Sequence, residues 1–360
     1  MTDVAVEHTD GVDIASTTRP YRPSWLDYLI DRVERLTVPA WFFYLAVWVV
    51  ITGTITMVKW SDGSYAVGSF APIYLVLPAI CVYVIPIVQY IDKAAASALD
   101  SFRPALAVDD KAFRLLRYRL TTMPWRSTLL ISLTAAVIGP LLVRSVTELD
   151  PGITFRISNT TYGALIDMAL ASLTGWSTTA VLYHTVRQLT LVSDILTHHT
   201  RIDLYETQSL YAFSNVTART AIGLLIPIYT WVLVGLGGWR SWVGPTVTII
   251  YTMFGILLFV WPLLGVHRLL EKEKHRLQIE AARRMKSASA GLHQRLDAQD
   301  LGGVTELKDA MEGLVMEKSD LDKISTWPWQ AETARWLVTA LLLPVILWII
   351  QSLLSKLLAF

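Results

Sequence analysis

The chain has 360 residues, of which 53% are hydrophobic and only 17% are charged, whereas an average soluble domain has about 25% charged residues. The formal net charge is +1, so no general basic field exists that would attract nucleic acid. The single cysteine, Cys81, excludes a disulfide framework and any metal site built from several cysteines. This composition is typical of a membrane protein and argues against a soluble cytosolic enzyme.

The apolar residues are concentrated in seven stretches, each close to the roughly 20 residues that a helix needs to cross the hydrocarbon core of a bilayer. The sequence therefore predicts an all-α polytopic membrane protein with seven transmembrane helices joined by polar loops. The seven predicted spans are 41–58, 71–91, 127–146, 161–183, 218–237, 243–266 and 336–358.

Positive charges are distributed unevenly between the two sides of these spans. Because Lys and Arg near a span stay on the cytoplasmic side, the side with the excess is predicted to be cytoplasmic and to hold the N-terminus. An odd number of spans then places the C-terminus outside, in a multi-pass protein of the plasma membrane. Five of the 31 Lys and Arg residues fall on the outer side: Lys59, Arg144, Arg156, Arg240 and Lys356.

The chain is predicted to be organised around a membrane domain with a large cytoplasmic helical part. Residues 25–36 form an amphipathic helix before the first span, which either lies in the membrane interface or packs against the bundle. The predicted parts are a cytoplasmic N-terminus, 1–38; spans one to six, 39–266, with helical extensions at 92–126 and 184–217; a cytoplasmic anchor, 267–332; and the last span, 333–360.

The anchor begins without a helix breaker, so the sixth span is predicted to continue into the cytosol as one long helix. Gly302 and Gly303 signal a break, and apolar residues then recur at alternating spacings of three and four, which is a heptad seam. The seam packs either on its own hairpin partner or on the same helix of another subunit. Its members are Val304, Leu307, Met311, Leu314, Lys318 and Leu321, and Leu307, Met311, Leu314 and Leu321 are the predicted contacts between subunits.

Catalytic motifs are absent from the sequence. It contains no zinc-protease, phosphate-binding-loop or nucleophile-elbow motif, and its histidines have no metal-ligand spacing. We therefore expect no enzyme, no cofactor and no metal. His184 and His267 lie at the inner ends of predicted spans, where interfacial anchoring accounts for them.

Asp167 is the one acidic residue deep inside a predicted span, and Arg144 near the outer end of the third span is its expected partner. Burial of a charge in lipid is costly unless the charge faces protein or water. Two interpretations stay open: a polar floor of an outward-facing ligand pocket that Tyr74 and Tyr162 also line, or a structural ion pair between spans.

The last span contains the most specific local pattern. Leu347, Gln351 and Ser355 share one helical stripe, with Leu354 beside it. Several copies of this helix would place a ring of Gln351 amides between leucine constrictions, as in a pore that closes by dewetting. The alternative is a single hydrogen bond between helices.

The register of this span reads Pro344-Val345, five hydrophobic residues and Gln351-Ser352. With the predicted topology, it resembles the insect odorant and gustatory receptors, a superfamily of seven-transmembrane ion channels. The gustatory members carry Thr-Tyr, five hydrophobic residues and Gln-Phe at this place, so only the hydrophobic run and Gln351 match.

The resemblance implies a homotetramer with a central pore lined by the seventh span, anchors that meet in the cytoplasm, and an outer pocket for a small organic ligand. The expected function is a ligand-gated or otherwise gated ion channel of low selectivity. A non-conducting sensor or scaffold that binds a partner through its cytoplasmic bundle is the alternative, and a transporter is the third.

Overall fold

The computed structural model describes residues 20–106, 108–149, 157–198, 208–233, 243–299, 302–329 and 331–358. In these ranges the chain is helical, and its extended pairing is limited to an isolated bridge between Pro23 and Pro124. The predicted all-α class is confirmed. The helices are α1 (Trp25–Glu34), α2 (Ala40–Ser61), α3 (Ile73–Phe102), α4 (Asp110–Thr121), α5 (Trp125–Leu149), α6 (Thr161–His198), α7 (Gln208–Leu233), α8 (Val243–Asp297), α9 (Val304–Lys323) and α10 (Ala331–Leu358).

Five of the described helices are long and apolar enough to cross a membrane, as expected of a helical membrane protein. They are α2, α3, α5, α6 and α8, and each coincides with most or all of one predicted span. The two remaining predicted spans fall on α7 and α10. The count of seven spans stays a prediction.

The chain divides into two compact units, the first formed by 1–96 and 108–185 and the second by 97–107 and 186–360. Unit 1 contains α1, α2, α4, α5 and most of α3 and α6. Unit 2 contains α7, α8, α9 and α10.

In unit 1, α1 packs against the helical bundle. Its start is fixed by a capping box, in which the Ser24 hydroxyl accepts from Asp27 N and the Asp27 carboxylate accepts from Ser24 N. Leu26 and Val33, on the apolar stripe, are buried. Of the two interpretations of this amphipathic segment, the structure therefore shows packing on the protein.

Also in unit 1, α5 and α6 cross at two glycines. A Cβ at Gly139 would lie 2.9 Å from the carbonyl oxygen of Ala171, and a Cβ at Gly175 would lie 2.8 Å from that of Ala135. Each helix thus presents an Ala-xxx-Gly pair, the small-residue spacing that lets membrane helices approach closely.

In unit 2, α8 and α9 form an antiparallel hairpin. Lys274 Nζ donates to the carbonyl oxygens of Asp322 and Ile324, and near the far end a Cβ at Gly291 would contact Leu307. The break between the helices falls where the two glycines predict it, with Gly303 at φ 73°. Since the α9 seam packs on α8 of the same chain, the structure shows the first alternative for this seam.

The segment between α9 and α10 is held against α8 by stacked rings, here called the aromatic clamp (Phe259, His267, Trp327 and Trp329). The His267 and Trp327 rings stack with centroids 3.9 Å apart, and Trp329 lies 5.3 Å from Phe259. His267 was expected to be an interfacial anchor, but its ring is instead part of this clamp because a tryptophan from the returning chain covers it.

Candidate functional site

A buried ion pair joins α2 to α6 in unit 1. Lys59 Nζ lies 2.7 Å from Asp167 Oδ2, and the two side chains are only 2% and 1% exposed. The backbone N–H of Ser158 donates to the same carboxylate oxygen at 2.8 Å. The Tyr74 ring faces the ammonium group at 4.9 Å, a cation–π distance. A charge pair is thus enclosed near one end of two apolar helices.

The local sequence explains why Lys59 is buried. The buried residues of α2 are Thr52, Ile55 and Lys59, which recur at spacings of three and four and so share one face of the helix. An unpaired ammonium on that face would be very costly, and the carboxylate of Asp167 compensates it. The second carboxylate oxygen, Asp167 Oδ1, is buried without a hydrogen-bond partner among the described residues.

The expectation that Arg144 is the partner of Asp167 was wrong. Arg144 is exposed and its Nε donates to Glu148 at 2.9 Å, one helical turn away on α5. Lys59, assigned to an outer loop by the charge count, takes the place of Arg144. The structure thus fits the interpretation of Asp167 as one half of an ion pair between spans, with a different cation.

The two aromatic residues predicted to line a pocket with Asp167 have different surroundings. Tyr74 is buried against Lys59, while Tyr162 is 49% exposed. The Tyr162 hydroxyl lies 3.4 Å from the Ser61 hydroxyl. The ligand pocket itself stays a prediction.

A second polar pair lies farther along α6, where Nε2 of His184 is 2.7 Å from Oδ1 of Asp92 on α3. His184 is 0% exposed and Asp92 is 15% exposed, so the pair reaches solvent through the carboxylate. The other ring nitrogen, Nδ1, is buried without a hydrogen-bond partner in the described part of the chain. The expectation that His184 is an interfacial anchor was wrong, because the helices around it exclude solvent.

The two polar pairs lie at different heights and on different faces of α6. Asp167 and Thr174 are seven positions apart and share one face, whereas His184, ten positions after Thr174, is turned away from that face by about 80°. Between the pairs, Thr174 Oγ1 lies 3.1 Å from Cys81 Sγ on α3. The two pairs are about 25 Å apart along the helix axis at 1.5 Å per residue. Polar contacts therefore recur along the length of α6.

A third carboxylate of unit 1, Asp27 of α1, has several hydrogen-bond donors. Its Oδ2 accepts from the Ser24 N–H, the Ser24 hydroxyl and the Met123 N–H. Burial raises the pKa of Asp27, while its hydrogen bonds to Ser24 and Met123 act in the opposite direction. These hydrogen bonds connect the start of α1 to Met123, just before α5.

The predicted pore residues are on α10. Leu354 is 49% exposed, and Leu347 is half-buried. The side chains of Gln351 and Ser355 lie outside the described residues. In helical register, these two positions continue the stripe of Leu337, Leu341 and Pro344, which are buried.

The four predicted subunit contacts lie on α9. Leu321 is completely buried in the hairpin, while Leu307, Met311 and Leu314 are half-buried on the side that faces α8. Their role between subunits stays a prediction.

Sequence reasoning missed Lys59 and His184 for related reasons. Each lies near the end of an apolar stretch, where a polar side chain normally reaches the headgroup region. The buried spacing of Thr52, Ile55 and Lys59 was the available signal for the lysine.

Among the described residues, no group of three or more His, Cys, Asp and Glu side chains is arranged to hold a metal ion. Comparison of the chain with protein-family models, curated proteins and solved structures finds no match.

Proposed function

We propose that the protein is an oligomeric, gated ion channel of low selectivity, in which α10 lines the pore and the α8–α9 hairpin is the cytoplasmic anchor. The observation that carries this proposal is the one-sided packing of α10. Leu337 and Leu341 are buried in a cluster with Ala218, Leu225 and Leu263 of α7 and α8. The rest of the described helix surface has exposed apolar residues.

Many apolar side chains of α10 are exposed, because α7 and α8 of the same chain cover only one side of this helix. A transmembrane helix with such a surface packs against lipid or against another helix. In the proposed assembly, symmetry-related copies of α10 cover part of it, and lipid covers the remainder. The residues concerned are Val338, Leu342, Leu343, Ile346, Ile349, Ile350, Leu353, Leu354 and Leu357.

The register restricts which part of α10 faces the pore. Leu347 and Leu354 lie on one flank of the packed stripe, and Gln351 is at the edge of the stripe on the same side. The proposed constriction is therefore formed by Leu347 and Leu354, with the Gln351 amide beside it and Ser355 farther out. Ile349 lies on the opposite flank of the helix. If the Leu354 flank faces the pore, Ile349 contacts lipid.

The aromatic clamp gives the anchor a connection to this helix. Trp329 precedes α10 by two positions, and the Tyr229 hydroxyl of α7 donates to the Ala340 carbonyl. A movement of the hairpin that shifts Trp327 and Trp329 would thus displace the base of α10. This is the physical route by which we propose that gating occurs.

The proposal includes the finer topology. α7 and α10 are the fifth and seventh spans, the N-terminus is cytoplasmic, and four chains assemble around the pore in the plasma membrane. The stimulus is a small organic ligand, and the protein is not an enzyme. The resemblance to insect odorant and gustatory receptors supports this arrangement through Gln351 and the order of spans.

Purified protein reconstituted into planar bilayers tests the proposal. Leu354→Ser is expected to raise resting conductance, because a ring of hydroxyls wets more readily than a ring of leucines. Gln351→Arg is expected to suppress cation current by charge repulsion. Ile349→Val is the matched control and should behave like the wild type.

A wild-type protein that never conducts under any ionic gradient would contradict the proposal and favour the non-conducting sensor or scaffold. The same conclusion follows if both pore variants behave like Ile349→Val. The subunit number, measured by mass photometry of the same samples, should be four.

A further inference from the structure

Two arginines of unit 1 lie beside the residue at which α5 begins. The apolar stretch of α5 that is long enough to cross a membrane runs from Trp125 to Ser145, so Trp125 stands at its water boundary. The Trp125 N–H donates to the Arg22 carbonyl at 3.2 Å, next to the isolated bridge between the two segments. The backbone of Arg22 is therefore held beside Trp125 and Arg126, although it is distant from them in the chain.

Both guanidinium groups are accessible to a ligand. Arg22 and Arg126 are exposed, and Trp125 between them is 39% exposed. The Arg126 guanidinium lies 5.7 Å from the centroid of the Trp125 ring, a cation–π distance. Within the described part of the chain, neither arginine forms an ion pair. The carboxylate of Asp27 in the same region is occupied by its hydrogen bonds at the start of α1 and from Met123.

The preceding helix adds positive charge without acidic compensation. Residues 111–126 include five Lys and Arg side chains and no Asp or Glu. The apolar side of α4 is buried, whereas Lys111 and Arg114 are exposed. A basic cluster directly beside the end of a membrane helix attracts anionic lipid headgroups. The charge of this surface thus fits a negatively charged partner at the membrane.

We propose that Arg22, Trp125 and Arg126 form a binding site for the headgroup phosphate of an anionic phospholipid. A guanidinium group donates two parallel hydrogen bonds to phosphate oxygens, whereas a lysine ammonium acts as a point charge. Tryptophan favours the headgroup level, because its ring is apolar and its N–H is polar. The acyl chains lie along exposed apolar side chains of α5 such as Leu130 and Leu133.

The two arginines determine which lipids bind firmly. A phospholipid with a net negative charge is attracted to both, whereas the choline cation of phosphatidylcholine offsets the charge of its phosphate. A basic side chain near the membrane surface strengthens binding of anionic lipid by about fivefold, so two together contribute about 25-fold. This site requires that α5 crosses the membrane, as in the proposed function, but it does not require that the protein conducts ions.

Native mass spectrometry of the full-length protein in detergent measures lipid binding without any channel current. The dissociation constant for dioleoylphosphatidylglycerol should be about tenfold or more below that for dioleoylphosphatidylcholine. Arg22→Gln with Arg126→Gln should weaken phosphatidylglycerol binding about 25-fold and leave phosphatidylcholine binding nearly unchanged. Arg22→Lys with Arg126→Lys keeps both charges but loses the paired hydrogen bonds, so its affinity should lie between these two values.

Arg283→Gln with Lys286→Gln is the matched control, since it removes two positive charges from exposed positions of α8 outside the predicted spans. This control should bind phosphatidylglycerol like the wild type. A wild type that binds both lipids equally would overturn the inference, as would a control that loses as much affinity as the Arg22/Arg126 glutamine variant. The same holds if that glutamine variant keeps the wild-type affinity.

An excess of inorganic phosphate distinguishes a lipid site from a site for free phosphate. Because the acyl chains contribute to binding, phosphate should not displace bound phosphatidylglycerol, and displacement would overturn the lipid assignment. Lipid binding as expected in a protein that never conducts would contradict the proposed channel function and leave the lipid site in place.

Discussion

Lys59 and Asp167 illustrate how strongly the surroundings of a charged side chain determine its contribution to the stability of the fold. Both side chains are almost completely removed from solvent, whereas the pair of Arg144 and Glu148 is more than half exposed. Breaking a buried pair leaves an uncompensated charge in a medium of low dielectric constant. Breaking an exposed pair leaves both charges in water.

We expect Lys59→Met or Asp167→Leu to lower the free energy of unfolding by about 3–5 kcal/mol, the range for loss of one partner of a buried ion pair. The double variant Lys59→Met/Asp167→Leu should recover most of this loss, since two apolar side chains need no charge partner. Arg144→Gln should change stability by at most about 1 kcal/mol. Thermal and denaturant unfolding in detergent, analysed as a double-mutant cycle, measures these values.

Additive losses in the double variant would show that Lys59 and Asp167 do not interact, contrary to the distance of 2.7 Å between them. A large loss on Arg144→Gln would restore Arg144 as the partner expected from the sequence.

The sequence identified Asp167 as a buried charge but did not identify its cation. A carboxylate in the middle of an apolar stretch is conspicuous, since local hydropathy is sufficient to reveal it. Lys59 stands close to the end of its stretch, where lysine normally extends to the headgroups. Whether Lys59 extends to the headgroups or is buried depends on the packing of α2 on α6. That packing is a contact between residues distant in the chain, so local sequence does not reveal it.

At the scale of helices, the sequence predicted most of what the structure shows. The long α8 and the break at Gly302 and Gly303 agree with the prediction, because glycine and periodicity act locally. The partner of the α9 seam was left open, since the heptad pattern is the same for a hairpin within the chain and for an assembly of subunits.

Charged substitutions on the two sides of α9 distinguish these roles. Leu307→Glu with Leu314→Glu should unfold the hairpin at a cost of about 2 kcal/mol or more per site, because each change places a charge against α8. Val315→Glu with Met316→Glu is the matched control, since these side chains are 56% and 68% exposed. Hydrogen exchange over 268–323 measures the loss of protection.

Mass photometry of the same samples reports whether subunits separate. The sequence-based expectation is that the Leu307/Leu314 variant dissociates while its membrane helices stay inserted. If hairpin protection were lost in the Val315/Met316 variant and kept in the Leu307/Leu314 variant, the face of α9 with Val315 and Met316 would be the one that packs on α8.

At the scale of the whole molecule, unit 2 combines a polar helical hairpin and an apolar helix in one continuous packing arrangement. The core around Leu225, Leu263 and Leu341 fixes α10 on α7 and α8, and the aromatic clamp fixes the chain that enters α10. If gating moves the hairpin relative to α10, these ring contacts must differ between the closed and open states.

Trp327→Ala tests this coupling, because Trp327 stacks on His267 at 3.9 Å and on Trp329 at 4.3 Å. Each aromatic contact contributes about 0.5–1.5 kcal/mol beyond its buried area. If only one of the closed and open states has these two contacts, losing both should shift the closed–open equilibrium about fivefold or more. Trp336→Ala is the matched control, since that ring is 66% exposed on α10. Single-channel open probability measures the closed–open equilibrium, and hydrogen exchange at the start of α10 gives a second measurement that needs no current.

A folded Trp327→Ala protein with unchanged open probability and unchanged hydrogen exchange would contradict this coupling. The aromatic clamp would then not transmit movement of the hairpin to α10, and the hairpin would have a structural role only.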